Sequence, residues 1–163
     1  MSGTRGITAL QTAGVAFAVH RYAYRAPDAA LAAAAALGVE PGRMLKSLVV
    51  AAGDGFAFGL VAADSELSLR AVARALGSRT ARMATRSEAE RLTGYQLGGI
   101  SPLGSRRPLP VLLDAAAAAH ERLCLNGGGR GVIVELATAE LVRLTGARVE
   151  PVSSREPPPA GQS

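Results

Sequence analysis

Among 163 residues with eighteen basic side chains, Lys46 is the only lysine; the other seventeen are arginines. An ammonium retained in so arginine-rich a chain hints at a place that suits a compact point charge better than a planar fork. Lys46 lies in Met44-Leu45-Lys46-Ser47-Leu48-Val49-Val50, a run that reads as a strand. Strand alternation puts it on one face with Leu48 and Val50. It is either a strand-end lysine guarding an edge or a cationic floor for a phosphate, ribose or carbonyl. Two glycine-rich stretches offer complementary chemistry. Gly94-Tyr95-Gln96-Leu97-Gly98-Gly99-Ile100-Ser101-Pro102-Leu103-Gly104 holds four glycines and a proline, a composition that specifies an unusual backbone path. It is either a turn-rich connector or a loop whose main-chain N–H groups donate to an oxygen. It is neither a P-loop nor a dinucleotide fingerprint. Asn126-Gly127-Gly128-Gly129-Arg130-Gly131 is either a flexible hairpin or a wall of the same pocket, with Asn126 as a hydrogen-bond donor.

Protein nucleophiles are scarce. Cys124, the only cysteine, sits between two leucines and reads as a small buried hydrophobe rather than a thiolate partnered by His120. No disulfide within the chain is possible, and no metal-ligand spacing is present, so neither metal nor cofactor is expected. His20 ends an alternating run and reads as an ordinary strand histidine. An enzyme made of these residues would draw its nucleophile from elsewhere.

The formal charge of +5 and pI near 10.3 fit a phosphate-bearing partner without demanding one. With 48% hydrophobic and 19% charged residues, the chain is globular rather than disordered or coiled-coil. It has the length of one domain. No stretch approaches the roughly 20 apolar residues of a membrane span, and the first residues lack a secretory signature. A cytoplasmic protein without membrane partners is expected.

Strand and helix signals alternate. Helices are expected at 5–13, 29–37, 69–76, 87–92 and 138–144, most of them stopped by a glycine. Strands are expected at 15–22, 45–52, 56–62, 111–113, 123–125, 132–136 and 148–152, with Gly53-Asp54-Gly55 closing a hairpin. Residues 94–110 read as a long ordered loop. The expected fold is mixed α/β: a mostly antiparallel, strongly curved, barrel-like sheet surrounded by helices. The domain spans 1–152, and 153–163 is a proline-rich tail expected to be disordered.

GYQLGGISPLG, the lysine of LKSLVV, NGGGRG before VELA, and the final AELVRLTGA resemble the YbaK/EbsC family of aminoacyl-tRNA editing domains over roughly residues 5–152. Its namesakes are Cys-tRNA(Pro) deacylases, related to the editing domain inserted in bacterial prolyl-tRNA synthetase. The resemblance implies the barrel-like editing-domain fold and a free-standing enzyme that hydrolyses the ester of a mischarged tRNA(Pro). Prolyl-tRNA synthetase becomes a candidate partner, and DNA is not one. It also implies a substrate-assisted reaction in which the substrate's own thiol attacks the carbonyl. Lys46 would stand near the terminal adenosine and the ester. The loop Gly98, Gly99, Ile100, Ser101, Pro102 would hold the carbonyl, with Gly98, Gly99 and Ser101 in the catalytic set beside Lys46. Tyr22, Ile100, Pro102, Asn126 and Arg130 would line the substrate site.

Two departures from the family pattern bear on specificity. Asn126 stands where a small hydroxyl is usual, and Ile133 where a polar residue is common. An alanyl or other mischarged tRNA is therefore an alternative substrate, and a non-catalytic module binding the tRNA end or a synthetase is another. Thr93 and Ser101 could add hydroxyls. Arg106, Arg107 and Arg130 flank the glycine stretches and are expected to meet phosphates.

Overall fold

The computed structural model describes residues 3–154. Local sequence explains the helices. Helix α1 (Arg5–Ala13) is capped by the Thr4 hydroxyl on the Ile7 N–H and stopped by Gly14 at φ 71°, a left-handed cap that costs glycine little. Helix α2 (Ala29–Leu37) is almost all alanine and ends the same way at Gly38. Helix α3 (Leu69–Ala75) starts at Ser68, whose side chain accepts from the Ala71 N–H. Helix α4 (Arg86–Thr93) opens with a capping box between Thr85 and Glu88. Helices α5 (Ala115–Ala118) and α6 (Thr138–Thr145) complete the set.

Among the described residues, ten strands form three sheets. One holds β1 (Phe17–Arg21), β8 (Val132–Ala137) and β7 (Arg122–Gly129), in the order β1-β8-β7 and all antiparallel. The largest runs β5-β2-β3-β6-β9, from β5 (Ala81–Met83), β2 (Leu45–Ala52), β3 (Gly55–Ala62), β6 (Val111–Asp114) and β9 (Arg148–Glu150). The β3–β6 and β6–β9 pairs are parallel, the others in that sheet antiparallel. A short β4 (Glu66–Leu67) pairs with β10 (Ser153–Ser154). A parallel bridge between Met44 and Cys124 joins the two larger sheets. The mixed α/β fold is as expected; among the described residues neither sheet closes on itself, and the two meet at a seam. β10 also carries the packed region two residues beyond the expected boundary at 152; the remaining tail, 155–163, lies outside the described residues.

Alternation along β2 divides the interior. Leu45 and Val49 join Phe58, Leu60, Leu113, Leu125 and Leu136 in the main core. On the opposite face Met44 packs with Ala33, Cys124 and Ile133, and Val50 with Val61, Val72 and Leu112. Lys46 stands on that second face, between the two small clusters.

Candidate active site

A cavity of about 460 Å³ opens beside Lys46. Its floor comes from β2, one wall from the segment Tyr22–Asp28 and the first turn of α2, and the other from Gly98, Ile100, Asn126 and Ile133. Most of the lining is apolar, and Lys46 is the one basic side chain in it. No carboxylate meets the Lys46 ammonium among the described residues. Asp28 also lines the cavity but makes no ion pair with Lys46, and in largely apolar walls the ammonium is open to a ligand oxygen, since low-polarity surroundings strengthen any such contact.

Tyr22 reaches the cavity from the end of β1, and its hydroxyl donates to the Ala29 carbonyl at 3.3 Å. Burial, and secondarily the neighbouring Tyr24, push its phenol above the usual range. The chain then passes a cis Ala26–Pro27 bond and Asp28 at φ 57°, a left-handed conformation unusual for a residue with a side chain.

The glycine stretches form one unit. Gly98 occupies the third place of a turn in which the Gly99 N–H donates to the Gln96 carbonyl at 2.8 Å, and its φ is 92°; that position calls for glycine. A Cβ at Gly98 would also collide with the Tyr24 hydroxyl. Asn126 fastens this turn to its neighbour. Its Nδ2 donates to the Gly98 carbonyl at 3.1 Å, while its Oδ1 accepts from the N–H groups of Gly128 and Gly129 at 2.6 and 2.9 Å. The register shift in β7 between Asn126 and Gly129 makes room for that clamp. From below, the Tyr95 hydroxyl donates to the Leu103 carbonyl at 2.6 Å, and Arg5 stacks on the Tyr95 ring. Among the described residues no acceptor meets the N–H of Gly98 or Ile100.

Of the residues expected from sequence, Lys46, Tyr22, Gly98, Ile100 and Asn126 come together at the cavity. Gly99, Ser101, Pro102 and Arg130 do not line it. The Gly99 Cα faces the Gly129–Arg130 backbone, where an added Cβ would sit 3.0 Å from main-chain atoms, so this glycine serves loop-to-loop packing rather than approach to a carbonyl. The Ser101 hydroxyl is fully buried and accepts from the Leu103 N–H at 3.1 Å, bracing the loop. The Thr93 hydroxyl likewise donates to Ala89 and accepts from the Tyr95 N–H. Arg130 donates to the Leu97 carbonyl at 2.9 Å and stacks 5.0 Å from the Tyr24 ring. Arg106 and Arg107 are exposed and stand off the cavity wall. Tyr24, Leu31 and Leu97 line the cavity without having been expected there; Tyr24 was within reach of the alternation that places Tyr22, two residues earlier.

Candidate nucleophiles are occupied or inert. Cys124 is fully buried, and burial pushes its thiol up to about 11. His20 is committed to Glu135 at 3.0 Å. The Ser47 hydroxyl is buried with no partner, and no base activates it.

Residues 26–144 match the aminoacyl-tRNA editing domain family. The chain belongs to that family. As an editing domain it is an aminoacyl-tRNA hydrolase. It is 31% identical over 124 residues to the Enterococcus faecalis protein named "Putative Cys-tRNA(Pro)/Cys-tRNA(Cys) deacylase EbsC", covering 76% of each chain. It also superposes on the crystal structure of "a putative trans-editing enzyme for prolyl tRNA synthetase" with a TM-score of 0.81 and 32% identity, over 92% of this chain and 95% of that one. The matched residues 26–144 contain Lys46 and both glycine stretches.

Proposed function

We propose that this editing domain is a free-standing deacylase of Cys-tRNA(Pro), with the substrate's thiol as nucleophile and the protein supplying position and charge. What supports the reading is the make-up of the cavity: one ammonium and glycine-loop main chain in largely apolar walls, with Cys124 and Ser101 buried and His20 held by Glu135. The cysteinyl sulfur attacks the ester carbonyl carbon, forming a C–S bond and an oxyanion. Lys46 and the N–H groups of Gly98 and Ile100 stabilise that charge as it develops. Collapse breaks the carbonyl–oxygen bond. The ribose oxygen leaves with the proton the thiol released, and water then opens the cyclic thioester to free cysteine. Holding sulfur and carbonyl together is the larger part of the work, and it falls to a loop fixed by Asn126 and Tyr95.

The test is single-turnover release of amino acid from tRNA(Pro) charged with cysteine, alanine or proline. Fast release of cysteine, with proline retained, is the expected result. Faster release of alanine would move the assignment to an alanyl substrate, which the apolar Ile133 wall also accommodates. No release from any of the three would refute deacylation of tRNA(Pro).

A further inference from the structure

The face of β2 that carries Lys46 ends, at its other extremity, in a basic groove. About 480 Å³ in volume, it is walled by Arg70 and Arg74 on α3 and by Arg79 on the link to β5, with Ser78 and Thr80 between them. The Ser78 hydroxyl donates to the Thr80 carbonyl at 2.8 Å and so shapes the turn that presents Arg79. All three arginines are exposed, and no carboxylate lines the groove. None of the three is ion-paired among the described residues, whereas Arg82, Arg86, Arg122, Arg143 and Arg148 each hold a glutamate. Arg70 and Arg74 lie four residues apart on one helix face, a like-charge spacing that destabilises a helix slightly. An anion would relieve that repulsion, and the guanidinium fork matches phosphate oxygens.

Position links the groove to the cavity. Lys46 and the Val50 cluster under α3 share one face of the sheet. Ala52, at the end of β2, pairs with Ala81 at the start of β5. Six residues of strand separate Lys46 from Ala52, about 20 Å at the usual strand rise. A few nucleotides of unpaired strand bridge that distance. No aromatic side chain lines the groove, so it offers no platform for stacking a base.

We propose that Arg70, Arg74 and Arg79 bind the phosphate backbone of the tRNA whose aminoacylated end enters the cavity at Lys46. This rests on the aminoacyl-tRNA substrate argued above. Contacts of this kind position the nucleic acid without reading its sequence.

The test compares two double variants of equal net charge. One is Arg74→Ala with Arg79→Ala; the other is Arg86→Ala with Arg143→Ala, at arginines already paired to Glu90 and Glu140. Binding of uncharged tRNA(Pro) is measured across a salt series, so the readout does not depend on catalysis. The groove variant is expected to bind at least tenfold more weakly, with the log–log salt slope reduced by about one for each phosphate that is no longer neutralised. The control is expected to stay within twofold of wild type. Hydrolysis of a short aminoacylated 3′-terminal fragment is expected to be unchanged in both, because the fragment does not reach the groove. Equal affinities for the two variants would overturn the groove while leaving the deacylase reading intact. Wild-type protein that binds tRNA through the groove yet releases no amino acid would refute the deacylase instead.

Discussion

Two charged regions lie near the seam between the sheets, and they use their charge to opposite ends. Around Glu135 the charges close on one another: His20 from β1 at 3.0 Å, Arg122 from β7 at 3.1 Å and Arg43 from the turn before β2 at 3.5 Å all meet one carboxylate. Around Lys46 the ammonium faces a cavity with no carboxylate in contact. A closed cluster fixes strands in place and leaves nothing for a ligand. An open cation contributes little to the fold and keeps its interaction for what enters. Each region should therefore respond differently to loss of its central residue, in activity for one and in stability for the other.

The largest effect is expected at the open site. Lys46→Ala should slow single-turnover deacylation on the order of a hundredfold or more with an unchanged melting temperature. Lys46→Arg should not restore it, because a planar fork needs more room and a different acceptor. A variant that is destabilised but active would place Lys46 with the structural charges and erase the distinction. Next comes the clamp. Asn126→Ala removes three hydrogen bonds that join the two glycine turns, so deacylation should fall about tenfold with the loop unpinned. Asn126→Asp keeps the acceptor for Gly128 and Gly129 but loses the donor to Gly98. It should recover only part of that rate, which kinetics on both variants will show.

At the closed cluster the effect should appear in stability. Glu135→Gln leaves three cationic or ionisable groups around a neutral amide and should cost about 1–2 kcal/mol in denaturant melts, with near-normal deacylation. Hydrogen bonding from His20 first, then Arg122 and the nearby charges, holds the Glu135 carboxyl below its ordinary value of 4.5. A lowered carboxyl contributes stability that is present above the ordinary value and lost as pH falls through the lowered one. Wild-type melting should therefore drop below about pH 4.5, and the Glu135→Gln profile should be flatter there. The smallest effect concerns Cys124. With burial pushing its thiol up to about 11, it should resist thiol reagents at pH 8 until the protein unfolds. Rapid labelling of the native protein would show that the seam opens.

The parts legible in the sequence are those with local causes. Helices α1, α2, α4 and α6 end at Gly14, Gly38, Gly94 and Gly146, all at positive φ, and a stop residue announces itself without tertiary context. The β2–β3 hairpin and the face of Lys46 follow from alternation in the same way. Strands β4, β5 and β10 are two or three residues long, too short to carry a period, and their pairing is decided by partners far along the chain. The two parallel pairings of β6 have the same non-local origin. At the site, the glycine composition was readable but its use was not. Gly99 and Ser101 look available to a ligand in one dimension, and only their contacts with Gly129 and Leu103 show them spent on the loop itself. The Glu135 cluster was out of reach for the same reason, since its partner His20 lies 115 residues away.

The Met44–Cys124 bridge, where the three-stranded sheet touches the five-stranded one, gives the cavity a mechanical character. Lys46 belongs to one sheet, and Asn126 and Ile133 to the other. A ligand spanning the cavity therefore acts as a rivet across a joint that the protein itself holds with few main-chain bonds. Occupancy should be felt along that joint before it is felt anywhere else: amide exchange at Met44 and Cys124 would slow, and the distant β6–β9 edge would keep its own rhythm.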